Sequence, residues 1–178
     1  MADHDSRMAE PAPPSGGPRA DYRREAPEAT AAMANLQAAV DRSMLDERLL
    51  ELVKVRASQI NGCAYCVDMH TKDARAMGED EQRLHLVAVW REAPCYTPRE
   101  RAALAWCEAL TLLPESHADD AEYATVSAEF TAAEVVALTY AIVAINGWNR
   151  LAVGLRTPVG GYVSHRHERR GTAPSAPS

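Results

Sequence analysis

Two thiols three residues apart, with an imidazole four residues beyond the second, are the densest chemistry in this chain. They are Cys63, Cys66 and His70, in the stretch Glu51-Leu-Val-Lys-Val-Arg-Ala-Ser-Gln-Ile-Asn-Gly-Cys63-Ala-Tyr-Cys66-Val-Asp-Met-His70. Positions three and four apart on a helix share a face, so a helical segment after Gly62 sets both sulfurs and the ring on one surface. A dithiol beside a proton carrier suits thiol–disulfide or peroxide chemistry. One thiol attacks, the second closes a disulfide, and the ring handles the proton.

That chemistry needs a thiolate, and two features can supply it at different cysteines. The Asn61-Gly62 turn places Cys63 at a helix N-terminus, where free N–H groups and the helix dipole favour an anion. His70 lies one turn beyond Cys66 and leans toward the helix N-terminus, so the imidazole approaches the Cys66 sulfur and can take its proton. Exposure decides between them, and the residue pattern does not give it. Glu51, on the preceding helix, can return across a tight turn toward His70 as a second proton carrier, although a helical Glu is usually just solvated.

Two blander readings stand beside this one. A CxxC with His70 can be part of a zinc site, but structural zinc takes four ligands, and Cys95 and Cys107 form no second CxxC. Two inert buried cysteines and a core histidine are the other.

The elements that must position these groups read as helical throughout. Pro27 opens an Ala-rich helix to about Asp41. Ser43 with Asp46 resembles a capping box before Leu45, Leu49, Leu52 and Val53, with the helix ending near Gln59 at the Asn61-Gly62 turn. Cys63 opens the next helix and Gly78 closes it. Asp80 caps a short helix through Trp90, and Pro94 ends it. Thr97-Pro98-Arg99-Glu100 starts a helix to about Leu113, before Pro114, and another begins at Asp119-Asp120. Thr131-Ala-Ala-Glu134 caps a long helix to about Val153, apolar on most faces from Val135 to Ile145, which predicts central burial or a subunit contact. No useful strand alternation appears, so the expected fold is all-α with about six or seven helices. The domain is expected over 25–161, between disordered tails at 1–24 and 162–178. His165 and His167 in the second tail read as solvated rather than metal-binding.

Composition narrows the class. The 178 residues suffice for one core, and a net charge of -6 argues against a nucleic-acid partner. Residues 1–20 show no secretory signal and no stretch reads as a membrane span, so a soluble cytoplasmic protein is expected. No Gly-rich phosphate loop is visible. Asn146 and Asn149, in the last helix, are expected to bond across helices or to the thiol site. Trp90 and Trp106 read as core or subunit-contact residues. Lys54 and Arg56 can favour a thiolate, or simply form a solvated face; His85 and His117 sit in surface-like contexts.

The Glu51…Cys63-x-x-Cys66-x-x-x-His70 pattern resembles the alkylhydroperoxidase D (AhpD)-like branch of the carboxymuconolactone decarboxylase family. The likeness runs from about residue 25 to 157. It includes Ala57-Ser-Gln-Ile-Asn-Gly-Cys63, Met69-His70-Thr71-Lys72-Asp73-Ala74, the Thr97–Leu104 helix start and Ala144-Ile-Asn-Gly-Trp148-Asn149-Arg150. The resemblance implies a helical domain assembling into homo-oligomers, trimers or hexamers, with thiol-dependent peroxidase or disulfide-reductase activity. It implies that Cys66 attacks the peroxide, that Cys63 closes the disulfide and donates a proton, and that His70 and Glu51 form the relay. It also implies no bound cofactor, an external lipoyl- or thioredoxin-type dithiol as reductant, and a peroxiredoxin as a possible electron acceptor. Some members carry a second His between the cysteines, where this chain has Tyr65. A phenol, with an ordinary pKa near 10, is a poorer relay at neutral pH. The decarboxylase branch lacks the cysteine pair, which sets the lactone reaction aside. Outside enzymology, the pair would serve a helical redox sensor or, with metal, a zinc module.

Overall fold

A computed structural model of the chain describes residues 17–166. Among these the regular elements are all helical: α1 (Tyr22–Glu25), α2 (Pro27–Asp41), α3 (Glu47–Ile60), α4 (Ala64–Ala76), α5 (Glu81–Leu86) running into a 3-10 turn (Val87–Val89), α6 (Pro98–Thr111), α7 (Leu113–Ser116), α8 (Asp120–Ser127) and α9 (Ala132–Leu155). The expected all-α class holds, and the two helices beyond the expected seven, α1 and α7, are single turns. The parts of the expected tails at 1–16 and 167–178, His167 among them, lie outside the described residues.

Capping chemistry explains most boundaries. Thr97 with Glu100 and Thr131 with Glu134 form reciprocal capping boxes at α6 and α9, and Asp119 with Glu122 adds a third at α8. The start of α3 differs from expectation. Asp46 alone is the cap, accepting from the amides of Arg48 and Leu49 at 2.9 and 3.0 Å, and Ser43 lies upstream in the turn. Pro114 does not simply terminate α6. It sits in the first turn of α7, where the missing N–H leaves no helical bond unmade.

The central element is α3, not α9. It packs against α4, α6 and α9, and Leu52, Val53, Val55 and Ala57 are fully buried. Because α3 is enclosed on nearly every side, it also buries Glu51, Lys54 and Ser58. Buried charges must be paired, so this burial determines what surrounds the site. Helix α9 is long and apolar enough to cross a membrane by length and composition. Its Val135, Leu138, Ala141, Ile142 and Ile145 are nonetheless buried in the protein core, while Val136, Tyr140, Val143 and Val153 remain exposed. Trp90 and Trp106 are buried as expected, with indole N–H groups donating to Glu108 and Thr139.

The ends of the described chain are not detached from this core. The amide of Arg19 donates to Leu155 O at 2.9 Å. Residues 162–166, expected in the tail, lie against α3 and α4 through Tyr162, Ser164 and Arg166. Their polar composition reads as a solvated segment, but they pair with buried carboxylates instead.

Candidate functional site

The α3–α4 turn sets the thiols. Asn61 ends α3, and Gly62 takes φ +63°, a left-handed conformation that strains any residue with a Cβ. The Cys63 amide then donates back to Ser58 O at 2.9 Å, and Cys63 becomes the N-cap of α4. Its sulfur accepts the Cys66 amide at 3.3 Å. Both cysteines are free thiols, and both side chains are buried.

These bonds separate the two thiols in acidity. The Cys66 side chain's hydrogen bond lowers Cys63 most strongly. Burial opposes it, the Cys66 amide and the Asn149 side chain assist, and Cys63 comes down to about 7. The same Cys63 bond, then burial and the Cys63 charge, push Cys66 well up. Of the two, Cys63 is therefore the more acidic thiol, chiefly through the Cys66 side chain, with the Cys66 amide at the start of α4 as a smaller contribution.

His70, one turn after Cys66, is buried, and its Nδ1 lies 2.7 Å from Glu51 Oε2. Glu51 Oε1 accepts Lys54 Nζ at 2.9 Å and lies 3.5 Å from an Arg166 guanidinium nitrogen. Burial alone would raise Glu51. The charges and hydrogen bonds of His70 and Lys54 overcome it and hold the carboxyl down to about 2. An ionised Glu51 fixes the ring with Nδ1–H toward it and leaves Nε2 for a bound molecule. Glu51 is thus not the solvated helix residue that its type suggests. Nor is Lys54 on a solvated face: its Nζ also lies 3.5 Å from Asp41. Arg56 is committed to Glu108.

A cavity of about 240 Å³ joins these groups. Cys66 and His70 line it together with Lys54, Asp73, Tyr65 and Met69; Tyr22, Trp148 and Arg166 also border it. Cys63 is not among its lining residues, so the cysteine facing the cavity is Cys66. The structure brings all four predicted residues to one place: Glu51 with His70, Cys63 with Cys66, and Cys66 with His70 in the lining of one cavity.

Asn149 bonds across helices, the first of the roles considered for it. It is buried, donates to Ser58 Oγ at 3.1 Å and accepts from Asn61 at 2.9 Å, and its side chain helps to lower the Cys63 thiol. Asn146 bonds Asn61 and Thr111, linking helices only.

The residue pattern missed Asp73, Tyr162, Ser164 and Arg166. Asp73 accepts the hydroxyls of Tyr162 and Ser164 at 2.8 and 2.6 Å. Its spacing from His70 along α4 was a usable signal. Among the described residues, the one set of three metal-capable side chains in reach of each other is Glu51, His70 and Asp73, with donor atoms within 4.8 Å. Lys54, Arg166 and two hydroxyls already engage its oxygens, and neither cysteine belongs to it. Among the described residues, the CxxC pair of the zinc reading is thus not part of this set.

Comparison with known proteins gives the family and the fold. The carboxymuconolactone decarboxylase family profile matches residues 24–109. The uncharacterised Bacillus subtilis (strain 168) protein YdfG is 39% identical over 137 residues, 77% of this chain and 93% of that protein. A crystal structure of an Agrobacterium tumefaciens protein of unknown function, a candidate antioxidant defence protein AhpD, superposes with a TM-score of 0.79 at 46% identity, covering 82% of this chain and all of that one. The debrominase Bmp8 shares the fold at 18% identity and a TM-score of 0.70, over 78% of this chain and 74% of its own.

Proposed function

This chain belongs to the carboxymuconolactone decarboxylase family as an AhpD-like member, and on that premise we propose that it is a thiol-dependent peroxidase working through Cys66 and Cys63. The observation carrying the proposal is that Cys66 and His70 line one cavity while His70 Nδ1 is anchored 2.7 Å from a buried, ionised Glu51.

The anion begins on Cys63 and the reacting sulfur is Cys66, so the first event is transfer of the Cys66 proton. Cys63 is the immediate acceptor, its sulfur already accepting the Cys66 amide at 3.3 Å. The Cys66 thiolate then attacks the terminal oxygen of a hydroperoxide. The O–O bond breaks, a Cys66 sulfenic acid forms, and the leaving alkoxide takes a proton to become an alcohol. His70, held by Glu51, relays that proton through Nε2. Having given its proton to the alkoxide through His70, Cys63 is again a thiolate and attacks the sulfenic sulfur; the hydroxide leaves as water with a proton taken from solvent, and the disulfide closes. An external lipoyl- or thioredoxin-type dithiol reduces it, and the reduced pair can pass its electrons to a peroxiredoxin in place of the hydroperoxide. The exposed apolar stripe of α9 is the surface on which copies of the chain assemble.

Consumption of tert-butyl hydroperoxide with dihydrolipoamide tests this. Cys66→Ser is expected to lose nearly all turnover, and His70→Ala on the order of 10²-fold, the size of a general acid–base contribution. Equal activity in the three proteins rejects the assignment. A single stoichiometric oxidation without turnover would instead mark a redox sensor.

A further inference from the structure

After α9 the chain turns at Arg156, left-handed at φ 56°, and residues 158–166 return across α4 and α3. The return is anchored along its length. Lys72 Nζ donates to the Tyr162 carbonyl at 3.0 Å. Tyr162 and Ser164 both donate to the buried Asp73. Arg166 then enters the cavity wall, its side chain 15% exposed, with its guanidinium 3.5 Å from Glu51, 3.8 Å from Asp73 and 3.7 Å from Glu47.

We infer that Arg166 is a positioning residue of the Cys66–His70 site, a cation delivered by the C-terminal strap that completes the cavity and keeps its proton-accepting groups in the base form. This rests on the peroxidase reading for its role in turnover, although the charge effect itself does not.

Charge counting around the site supports it. Four carboxylates, Asp41, Glu47, Glu51 and Asp73, face this corner from α2, α3 and α4, and within the helices Lys54 is their buried cation. Arg166 is the second cation there, and their fields raise its own affinity for the proton although burial opposes this. His70 and Cys66 share the cavity, as does Arg23 at its edge; Tyr162 stands on the strap with His165 beside Arg166. A cation 3.5 Å from Glu51, in the wall of the cavity that His70 and Cys66 line, disfavours a further positive charge within that cavity. The same cation favours an anion on a nearby sulfur. Its removal therefore pushes both groups toward protonation, and the acid limb of any rate they limit moves to higher pH.

The test uses the full chain as wild type, Arg166→Gln, Arg166→Lys and the double variant Tyr162→Phe/Ser164→Ala. Alkylation by iodoacetamide and tert-butyl hydroperoxide turnover are each followed from pH 5.5 to 9. For Arg166→Gln both acid limbs move to higher pH by up to about one pH unit, and rates below pH 7 fall about three- to tenfold. Arg166→Lys restores most of the wild-type profile. The double variant, which keeps the guanidinium but frees its anchors, moves the limbs in the same direction by less. An Arg166→Gln protein whose rates fall by one factor at every pH, or superpose on wild type, overturns the inference. Wild type that alkylates normally but does not turn over hydroperoxide defeats the peroxidase reading instead, and the alkylation profiles still decide the role of Arg166.

Discussion

The amide of Cys66 donates to the Cys63 sulfur at 3.3 Å, so the two cysteines of the motif are a cap and its helix rather than equivalent thiols. Cys63 is drawn below its ordinary range to about 7, chiefly by the Cys66 side chain. Iodoacetamide trapping of the reduced pair should therefore rise with a midpoint near pH 7, and Cys66→Ala should move that midpoint up toward the ordinary thiol value of about 8.5. The sign for folding is the same. A lowered folded value adds stability that is complete above the unfolded value and lost as pH falls through about 7. Relative to Cys63→Ser, reduced wild type should gain melting temperature from pH 7 to 9. A flat difference across that window contradicts the assigned anion.

The Glu51 carboxylate is the hinge of the buried charge network. Glu51→Gln leaves Lys54 buried, with Asp41 at 3.5 Å as its remaining carboxylate within the helices. Removing one partner of a buried pair costs about 3 kcal/mol, read by urea unfolding at pH 7. Glu51 is lowered to about 2, so its contribution is present above the ordinary carboxylate range, near 4.5, and disappears as pH falls toward 2. Wild type and Glu51→Gln should converge in stability over that acid window. A gap at pH 7 below about 0.5 kcal/mol, the size of an ordinary surface substitution, would show that the network is not holding the fold.

What the sequence disclosed and what it hid divide along one physical line. Local chemistry was readable. Thr97-Pro98-Arg99-Glu100 and Thr131…Glu134 announce their helices because a cap and its partner lie three residues apart. Cys63, Cys66 and His70 announce a shared face for the same reason. The burial of α3 was not readable, because Lys54 and Glu51 look like surface residues until Asp41, His70 and Arg166 are placed around them. Asp73 gave a partial clue, three positions from His70. Arg166 gave none: it lies 115 residues from Glu51 in a polar stretch without helical period, and only the turn after α9 brings them together.

Helix α9 presents Val136, Tyr140 and Val143 to solvent, each more than half exposed and spaced to share one face. Assembly of copies through this stripe predicts that Val143→Glu lowers the mass measured by light scattering toward that of a single 19.4 kDa chain, with the helical circular-dichroism spectrum retained. A wild-type protein that already runs at the single-chain mass, or a Val143→Glu protein of unchanged larger mass, places the stripe outside any assembly.

Tyr65 lies between the two cysteines and lines the cavity beside Cys66. On the proposed mechanism, a phenol at that position leaves the relay at neutral pH to His70 and Glu51. Tyr65→His installs a second carrier next to the reacting sulfur, and general acid–base contributions of up to about 10² are available to it. We expect Tyr65→His to raise tert-butyl hydroperoxide turnover at pH 7 by several-fold or more. Tyr65→Phe keeps the ring and removes only the hydroxyl, so its turnover should stay close to wild type. Stopped-flow measurement of Cys66 oxidation separates this step from disulfide reduction. If Tyr65→Phe loses as much rate as His70→Ala, the phenol is itself the proton carrier, and the relay runs through Tyr65 rather than through His70 and Glu51.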